Sequence, residues 1–352
     1  MQVGLQLGYQ NLHGIPDSEF FRRETQLGIE AEAMGFDFVA PVEHHFTDYA
    51  MCPDNFQVLT YIAAKTKTIK LMTGAVILPW NDPLRVVEKT IMLDILSEGR
   101  MLLGLGRGAA RREFKAFRAD LADAREMFDE AAVIIMQGLE TGFVEADTRW
   151  YEQPRIEVRP RSQKSFKDRT SMVSMSPSSM EVAAKLGLKT IRFSQGQWAQ
   201  ALPEINKYRE LFQRNHGRAA PPFIVCDFIA CFESRRKVID YTDRYFSKLF
   251  ASVANHYEFG GEHFKSLPSY STYVTLGELS AAAGGPEKAY KDYIQANLIG
   301  TPGEILEQHR ARKEMVGDYD IVANFSYGGM PFEDVYDQAK RFADKILPQL
   351  KG

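Results

Sequence analysis

Gly35-Phe36-Asp37-Phe38-Val39-Ala40-Pro41-Val42-Glu43-His44-His45-Phe46 is the stretch whose reading decides the fold. A helix-ending glycine is followed by six mostly apolar residues, 36–41, which run straight into Glu43, His44, His45 and Phe46. Such a run is a short strand buried on both faces, and its C-terminal end delivers polar groups to the rim where parallel α/β proteins keep their chemistry. Successive strand residues face opposite ways. A regular strand therefore puts His44 with Phe38, Ala40 and Val42, and His45 with Val39 and Glu43, so the two histidines look into different surroundings unless a bulge intervenes.

The same unit recurs on both sides of this stretch. Residues 3–9 read as a first strand, and Asp17 or Ser18 caps a helix whose Phe20, Leu27, Ala31 and Met34 repeat at helical spacing up to Gly35. After it come a helix over 54–65, a strand over 69–78, and a helix with Asp82 as N-cap and Pro83 at its first position, which Gly99 ends. A fourth strand, 101–106, precedes one long helix over 112–137 and a polar, turn-rich segment over 142–168. Strands at 170–174, 189–193, 223–232 and 321–325 alternate with helices at 178–186, 200–216 and beyond Pro331. Eight strands, each backed by a helix, predict a single (β/α)8 TIM barrel spanning 1–352 with insertions. The largest insertion separates strands seven and eight. It holds a helix over 235–257, a capping box at Thr301-Pro302-Gly303-Glu304, and a stretch without periodicity, 258–286, whose length and composition predict a mobile lid.

At 352 residues, 45% hydrophobic and 25% charged, the chain has ordinary globular composition. A net charge of −3 points to neither nucleic acid nor a membrane as partner. Neither an apolar run long enough to span a bilayer nor a leader-like opening is present, which predicts a cytoplasmic protein. The cysteines, Cys52, Cys226 and Cys231, are odd in number and lack metal-type spacing, so they are expected to be reduced thiols. No metal is expected, because His44 and His45 diverge and His13, His216, His256, His263 and His309 have no ligand spacing.

Three features carry chemistry. Gly104-Leu105-Gly106-Arg107-Gly108 ends the fourth strand: either the glycines let backbone approach a ligand whose phosphate Arg107 grips, or they make a tight turn beside a solvated arginine. Ser174-Met175-Ser176-Pro177-Ser178-Ser179 opens the helix after strand five. Plain capping explains one serine, whereas three hydroxyls beside free N–H groups make an anion site. His44, at a strand end, is either a general acid or base or a hydrogen-bonded structural histidine.

Taken with Val76-Ile77-Leu78-Pro79 and Leu93-Asp94-Ile95-Leu96-Ser97-Glu98-Gly99-Arg100, the blocks Glu43-His44-His45-Phe46 and Gly106-Arg107-Gly108 resemble the bacterial luciferase-like flavin-dependent monooxygenase family, with spacing similar to the luciferase alpha subunit. The resemblance covers the first 110 residues and the serine cluster through Gly187, and thins over 217–286. It implies an α/β barrel that binds FMN at its C-terminal rim. Arg107, Ser176 and Ser179 would hold the phosphate, with Met175, Ser178 and Gly106 beside it, and His44 would sit at the C4a edge of the ring as the catalytic residue. Gly74 and Ala75 fall where the family has a non-prolyl cis peptide. Gly106 stands where the alpha subunit has a reactive cysteine, and Met175 stands in place of an acidic residue. The implied activity is monooxygenation: reduced FMN from a separate NAD(P)H:flavin reductase reacts with O2 through a C4a-peroxyflavin and oxygenates a small organic substrate, an aldehyde or ketone. A homodimer through the second and third barrel helices is implied as well. Two alternatives stay open: a deazaflavin-dependent hydride-transfer oxidoreductase, and a non-catalytic flavin-binding subunit.

Overall fold

The apolar runs close on one another. The computed structural model describes residues 1–258, 261–265, 267, 270 and 286–351. Its first half runs β1 (Val3–Leu7), α1 (Asp17–Glu30), β2 (Phe38–Pro41), α2 (Asn55–Ala63), β3 (Lys70–Met72), β4 (Val76–Ile77), α3 (Pro83–Leu96), β5 (Met101–Gly106), α4 (Arg111–Phe117) and α5 (Ala124–Thr141). Then come β6 (Phe143–Asp147), β7 (Glu152–Glu157), β8 (Thr170–Val173), α6 (Pro177–Leu186), β9 (Lys189–Phe193), α7 (Trp198–His216) and β10 (Phe223–Phe228). Beyond β10 lie β11 (Ala230–Cys231), α8 (Arg235–Tyr241), α9 (Ser247–Tyr257), β12 (Ile299–Gly300), a helix over Pro302–Val316, β13 (Tyr319–Asn324) and a helix over Phe332–Lys345. Parallel pairing in the order β3-β2-β1-β13-β10-β9-β8-β5 is closed by β3 on β5, which makes the expected (β/α)8 barrel.

Strand alternation sorts the core into two layers. Phe38, Ala40, Met72, Ile191, Ile224, Cys226 and Val322 fill the barrel interior, whereas Val39, Leu71, Leu103, Val225 and Ile321 face the helices. Gly4 is required by this filling, since a Cβ there would stand 2.2 Å from the Phe38 ring. A buried Arg312–Asp227 pair, bonded at 2.6 and 3.1 Å and joined by the Ser194 hydroxyl at 2.7 Å, ties β9 and β10 to the Pro302–Val316 helix. Asp227 Oδ1 accepts from both Arg312 and Ser194, and Arg312 Nη2 also donates to the Ala296 carbonyl at 2.7 Å, so the desolvation of the pair is offset by charge-assisted bonds.

The structure differs from the sequence expectations where tertiary contacts override periodicity. The strand expected over 69–78 breaks at residues 73–75, where the Thr73 hydroxyl donates to the Gly104 carbonyl (2.9 Å) and accepts its N–H (2.7 Å). The strand resumes as β4 with the register Val76↔Leu105 and Ile77↔Gly106. The Gly74–Ala75 peptide bond at this break is cis, as the resemblance implied. The long helix expected over 112–137 is two helices, because Arg118 takes a left-handed conformation (φ 60°) that closes α4. Residues 142–168 contain the antiparallel β6–β7 hairpin. The seventh strand stops at Phe228, and β11 leaves the barrel to pair with β12. The helix over 235–257 contains a five-residue π segment, Thr242–Phe246, and α1 starts after Pro16 with no side-chain cap. Asp82 and the Thr301–Glu304 box cap their helices as expected. The proposed lid, 258–286, lies outside the described residues apart from 258, 261–265, 267, 270 and 286. All three cysteines are buried free thiols. Among the described residues, no helix is long and apolar enough to cross a membrane.

Candidate active site

Closing the barrel brings the C-terminal ends of its strands around one cavity of about 1260 Å³, its open mouth included. Gly8 follows β1, Val42 to His44 follow β2, Gly74 and Ala75 occupy the break after β3, and Gly106 to Ala109 continue β5; all line it. Phe193, Phe228 and Asn324 close the ring of strand ends. Of the residues singled out from the sequence, His44, Gly74, Ala75, Gly106, Arg107, Met175, Ser176 and Ser179 line this cavity, and Ser178 does not.

One end is cationic and rich in hydrogen-bond donors. Arg107 lies with its guanidinium 4.0 Å over the Tyr270 ring, and Tyr270 donates to the Gly108 carbonyl at 3.0 Å. Arg125, which sequence reading missed, reaches the same end from α5, where its Nε donates to Asp129 at 2.9 Å. Burial raises the Asp129 pKa, and the nearby charges of Arg125 and Arg107 pull against that rise, so both cations act on one carboxyl. A faint signal for Arg125 was present: it is three residues from Phe128 on one helix, and both side chains line the cavity. The N-terminus of α6 lines the same cavity. Ser176 and Ser179 form a reciprocal capping box, Ser179 N–H on Ser176 Oγ at 3.3 Å and Ser176 N–H on Ser179 Oγ at 3.0 Å. Capping thus explains two of the three serines rather than one. Ser178 is exposed, its Oγ 3.2 Å from that of Ser176, and the Met175 sulfur accepts the Phe193 N–H at 3.3 Å.

A second part of the lining is built on His44. Its Nδ1 lies 3.0 Å from Glu113 Oε1, the same oxygen that accepts the His45 backbone N–H at 2.8 Å. Its Nε2 meets the Tyr257 hydroxyl at 3.1 Å. Burial pushes the Glu113 pKa up, but His44, His256 and the His45 N–H outweigh it and hold the carboxyl below its ordinary range. An ionised Glu113 fixes the His44 proton on Nδ1 and leaves the Nε2 lone pair toward Tyr257. His256 adjoins this pair, its ring 4.9 Å from that of His44 and 4.1 Å from Tyr49. Burial first, then His44, push the His256 pKa down to about 3.

His44 and His45 diverge as expected, although both lie beyond the end of β2 at Pro41. His45 is buried against Phe117 at 4.7 Å and Trp80 at 5.9 Å. Glu43 nevertheless lines the cavity with His44, because the strand ends at Pro41 and regular alternation ends with it. Its carboxylate accepts from Trp80 Nε1 (2.8 Å), Asn81 Nδ2 (2.9 Å) and Ile77 N (3.1 Å), which pins the segment after the Gly74–Ala75 break. The histidines expected to be scattered are not all so, since His256 joins His44. Glu113, Tyr257 and His256 stand 69, 213 and more than 200 positions from His44, so no local spacing could link them.

The sequence model of the luciferase-like monooxygenases matches residues 1–319. The alkanal monooxygenase alpha chain of Photorhabdus laumondii subsp. laumondii is 30% identical over 349 residues, covering 95% of this chain and 93% of the relative. The oxygenating constituent of 3,6-diketocamphane monooxygenase of Pseudomonas putida, a type II Baeyer–Villiger monooxygenase solved in complex with FMN, superposes with a TM-score of 0.76 at 15% identity and 99% coverage of each chain. The coenzyme F420 dependent tetrahydromethanopterin reductase of Methanopyrus kandleri superposes with a TM-score of 0.71 at 16% identity, again with 99% coverage of each chain. With a family match over nine-tenths of its length and the fold and rim cavity in place, the chain belongs to the luciferase-like monooxygenases, a family of oxidoreductase enzymes.

Proposed function

We propose that the protein is an FMN-dependent monooxygenase of the two-component kind, which takes reduced FMN from a separate NAD(P)H:flavin reductase and uses O2 to oxygenate an organic aldehyde or ketone. The observation that carries this reading is that one cavity is lined both by two arginines with a helix N-terminus and by a carboxylate-oriented histidine. Arg107, Arg125, Ser176 and Ser179 would hold the phosphate, which suits a dianion at a helix N-terminus between planar cations. Gly74, Ala75 and Gly106 offer backbone to a flat ring, and a Cβ at Gly106 would stand 2.7 Å from the Ile77 Cδ1, so any larger residue there would displace that side-chain end. Bound reduced flavin supplies the electrons that activate O2. The chain's own part is to exclude water with Val42, Phe193, Phe228 and Leu249, and to hold a proton acceptor at His44 Nε2, with the Tyr257 hydroxyl as its hydrogen-bond partner.

Homodimerisation through α2 and α3 belongs to the same reading, supported by Tyr61, Met92, Ile95 and Leu96, large apolar side chains exposed on those two helices. The decisive experiment mixes protein anaerobically with reduced FMN and then with oxygenated buffer, following flavin absorbance and product. Flavin re-oxidation slower than that of free reduced FMN, with oxygen use coupled to oxygenated product, is expected. Re-oxidation at the free-flavin rate without product, together with tight binding of a deazaflavin, would replace this reading with hydride transfer. The same re-oxidation rate without deazaflavin binding would point to a non-catalytic subunit.

A further inference from the structure

We infer that His44, Glu113 and His256 form a site for a divalent transition-metal ion of the zinc class, and that its occupancy silences His44. The binding half stands on geometry alone; the silencing half rests on the function proposed above. The three donors come from separate segments, the end of β2, α4 and the end of α9, and their ligating atoms all lie within 4.8 Å of one another. Glu113 Oε1 is 3.0 Å from His44 Nδ1 and 3.8 Å from His256 Nε2. Zinc bound at 2.0–2.2 Å with tetrahedral angles sets its donors roughly 3.3–3.6 Å apart. The two distances to Glu113 straddle that spacing, and the third side, from His44 to His256, is bounded at 4.8 Å, so the histidine rings would close by up to about an ångström to complete the triangle.

His256 supplies the independent observation. It is 3% exposed, and its Nε2 is buried without a hydrogen bond. Its other nitrogen lies 3.4 Å from the Thr47 hydroxyl, which can donate or accept, and Nε2 itself faces the Glu113 carboxylate at 3.8 Å. With Nδ1–H donated to Thr47, the buried Nε2 lone pair is free for a cation, which would bond both Nε2 and the Glu113 carboxylate. Outer contacts of the kind that orient metal ligands are already present, with the His45 N–H holding Glu113 Oε1 and Tyr49 stacked on His256. Two imidazoles with one carboxylate suit zinc, copper or nickel rather than magnesium or calcium, which prefer oxygen donors.

Occupancy changes the histidine. A metal on His44 Nδ1 displaces the proton that Glu113 otherwise accepts, so the neutral ring must carry its proton on Nε2. That atom then donates toward Tyr257 instead of accepting, and no lone pair remains on the cavity side to take a proton.

The test titrates chelator-stripped, full-length protein with Zn²⁺ alone and counts bound zinc after equilibrium dialysis. One zinc per chain is expected, with His256→Gln weakening it by at least the roughly 10–100-fold that even loss of an outer-sphere partner costs. His256→Cys, which restores a ligand, should recover binding, and this separates ligand loss from misfolding. No stoichiometric zinc, or zinc held equally by His256→Gln, overturns the site. In a turnover assay, zinc should inhibit wild type at the concentration at which it binds; bound zinc without inhibition overturns the silencing. Zinc bound with this ligand dependence in a protein that does not oxygenate supports the site while counting against the proposed function.

Discussion

Removing the Arg107 guanidinium tests the cationic end most directly, because FMN and riboflavin differ only in the phosphate. A hydrogen bond to a charged group contributes about 1.5–3 kcal/mol, so Arg107→Ala should weaken binding of reduced FMN by roughly 10- to 150-fold. The guanidinium also lies 4.0 Å over the Tyr270 ring, a contact of about 0.5–2 kcal/mol whose loss loosens that side of the cavity for any flavin. The informative quantity is therefore the FMN-to-riboflavin affinity ratio, in which that general loss cancels. Arg125→Ala should lower the same ratio. The double variant should lose less than the product of the two single losses, because both cations act on Asp129 and neighbours in one charge network are not additive. Anaerobic titrations of both reduced flavins against wild type and the three variants measure it. If Arg107→Ala weakens riboflavin by the same factor as FMN, the arginine is not at the phosphate, and the assignment of this end of the cavity fails with it.

Glu113→Gln keeps the side chain's size but removes the charge that orients His44; turnover should fall by roughly 10²-fold or more while flavin affinity holds, and undiminished turnover would return Glu113 to a purely structural role. Burial of Glu24 raises its pKa from 4.5 to about 7, against hydrogen bonds from Ser326, Tyr9 and Gly8. Its folded form therefore binds a proton more tightly than the unfolded chain, so stability present below pH 4.5 is lost as pH rises through 7, by about 3 kcal/mol for a shift of that size. Glu24→Gln should flatten the stability profile between pH 5 and 8 in denaturant melts; an unchanged slope would show that Glu24 does not govern it. At Gly104 a Cβ would stand 2.0 Å from the Thr73 carbonyl oxygen, so Gly104→Ala must force β3 and β5 apart. Its thermal midpoint should drop by what overpacking usually costs, about 1–3 kcal/mol or more, and a wild-type midpoint would contradict the close approach.

Local signals were sufficient for the architecture. Strand and helix periods, the Asp82-Pro83 cap and the Thr301–Glu304 box depend on residues within a few positions of one another, and the order of elements written by those signals leaves a parallel barrel as the way to bury every strand. They also placed His44, Arg107 and the serines at strand or helix ends, and hence at one rim. What they missed has a common physical cause. The strand over 69–78 is apolar throughout, yet it breaks where the Thr73 hydroxyl ties into β5; the helix over 112–137 keeps its apolar spacing, yet Arg118 ends it in a left-handed turn. In each, the competing contact or conformation is invisible to periodicity. The site is the stronger case. Glu113 lies one residue before Phe114 on the flank of a short helix, and Tyr257 and His256 end a helix inside the largest insertion. Nothing in their neighbourhoods marks them, because their environment is His44, brought from across the chain by closure of the barrel. The sequence by itself determined the elements and their order, since those follow from near-neighbour sterics and the burial of apolar faces. Only the tertiary structure decided which polar side chains share a cavity, because a hydrogen bond of 3 Å between residues 213 positions apart exists only once every strand between them is in register.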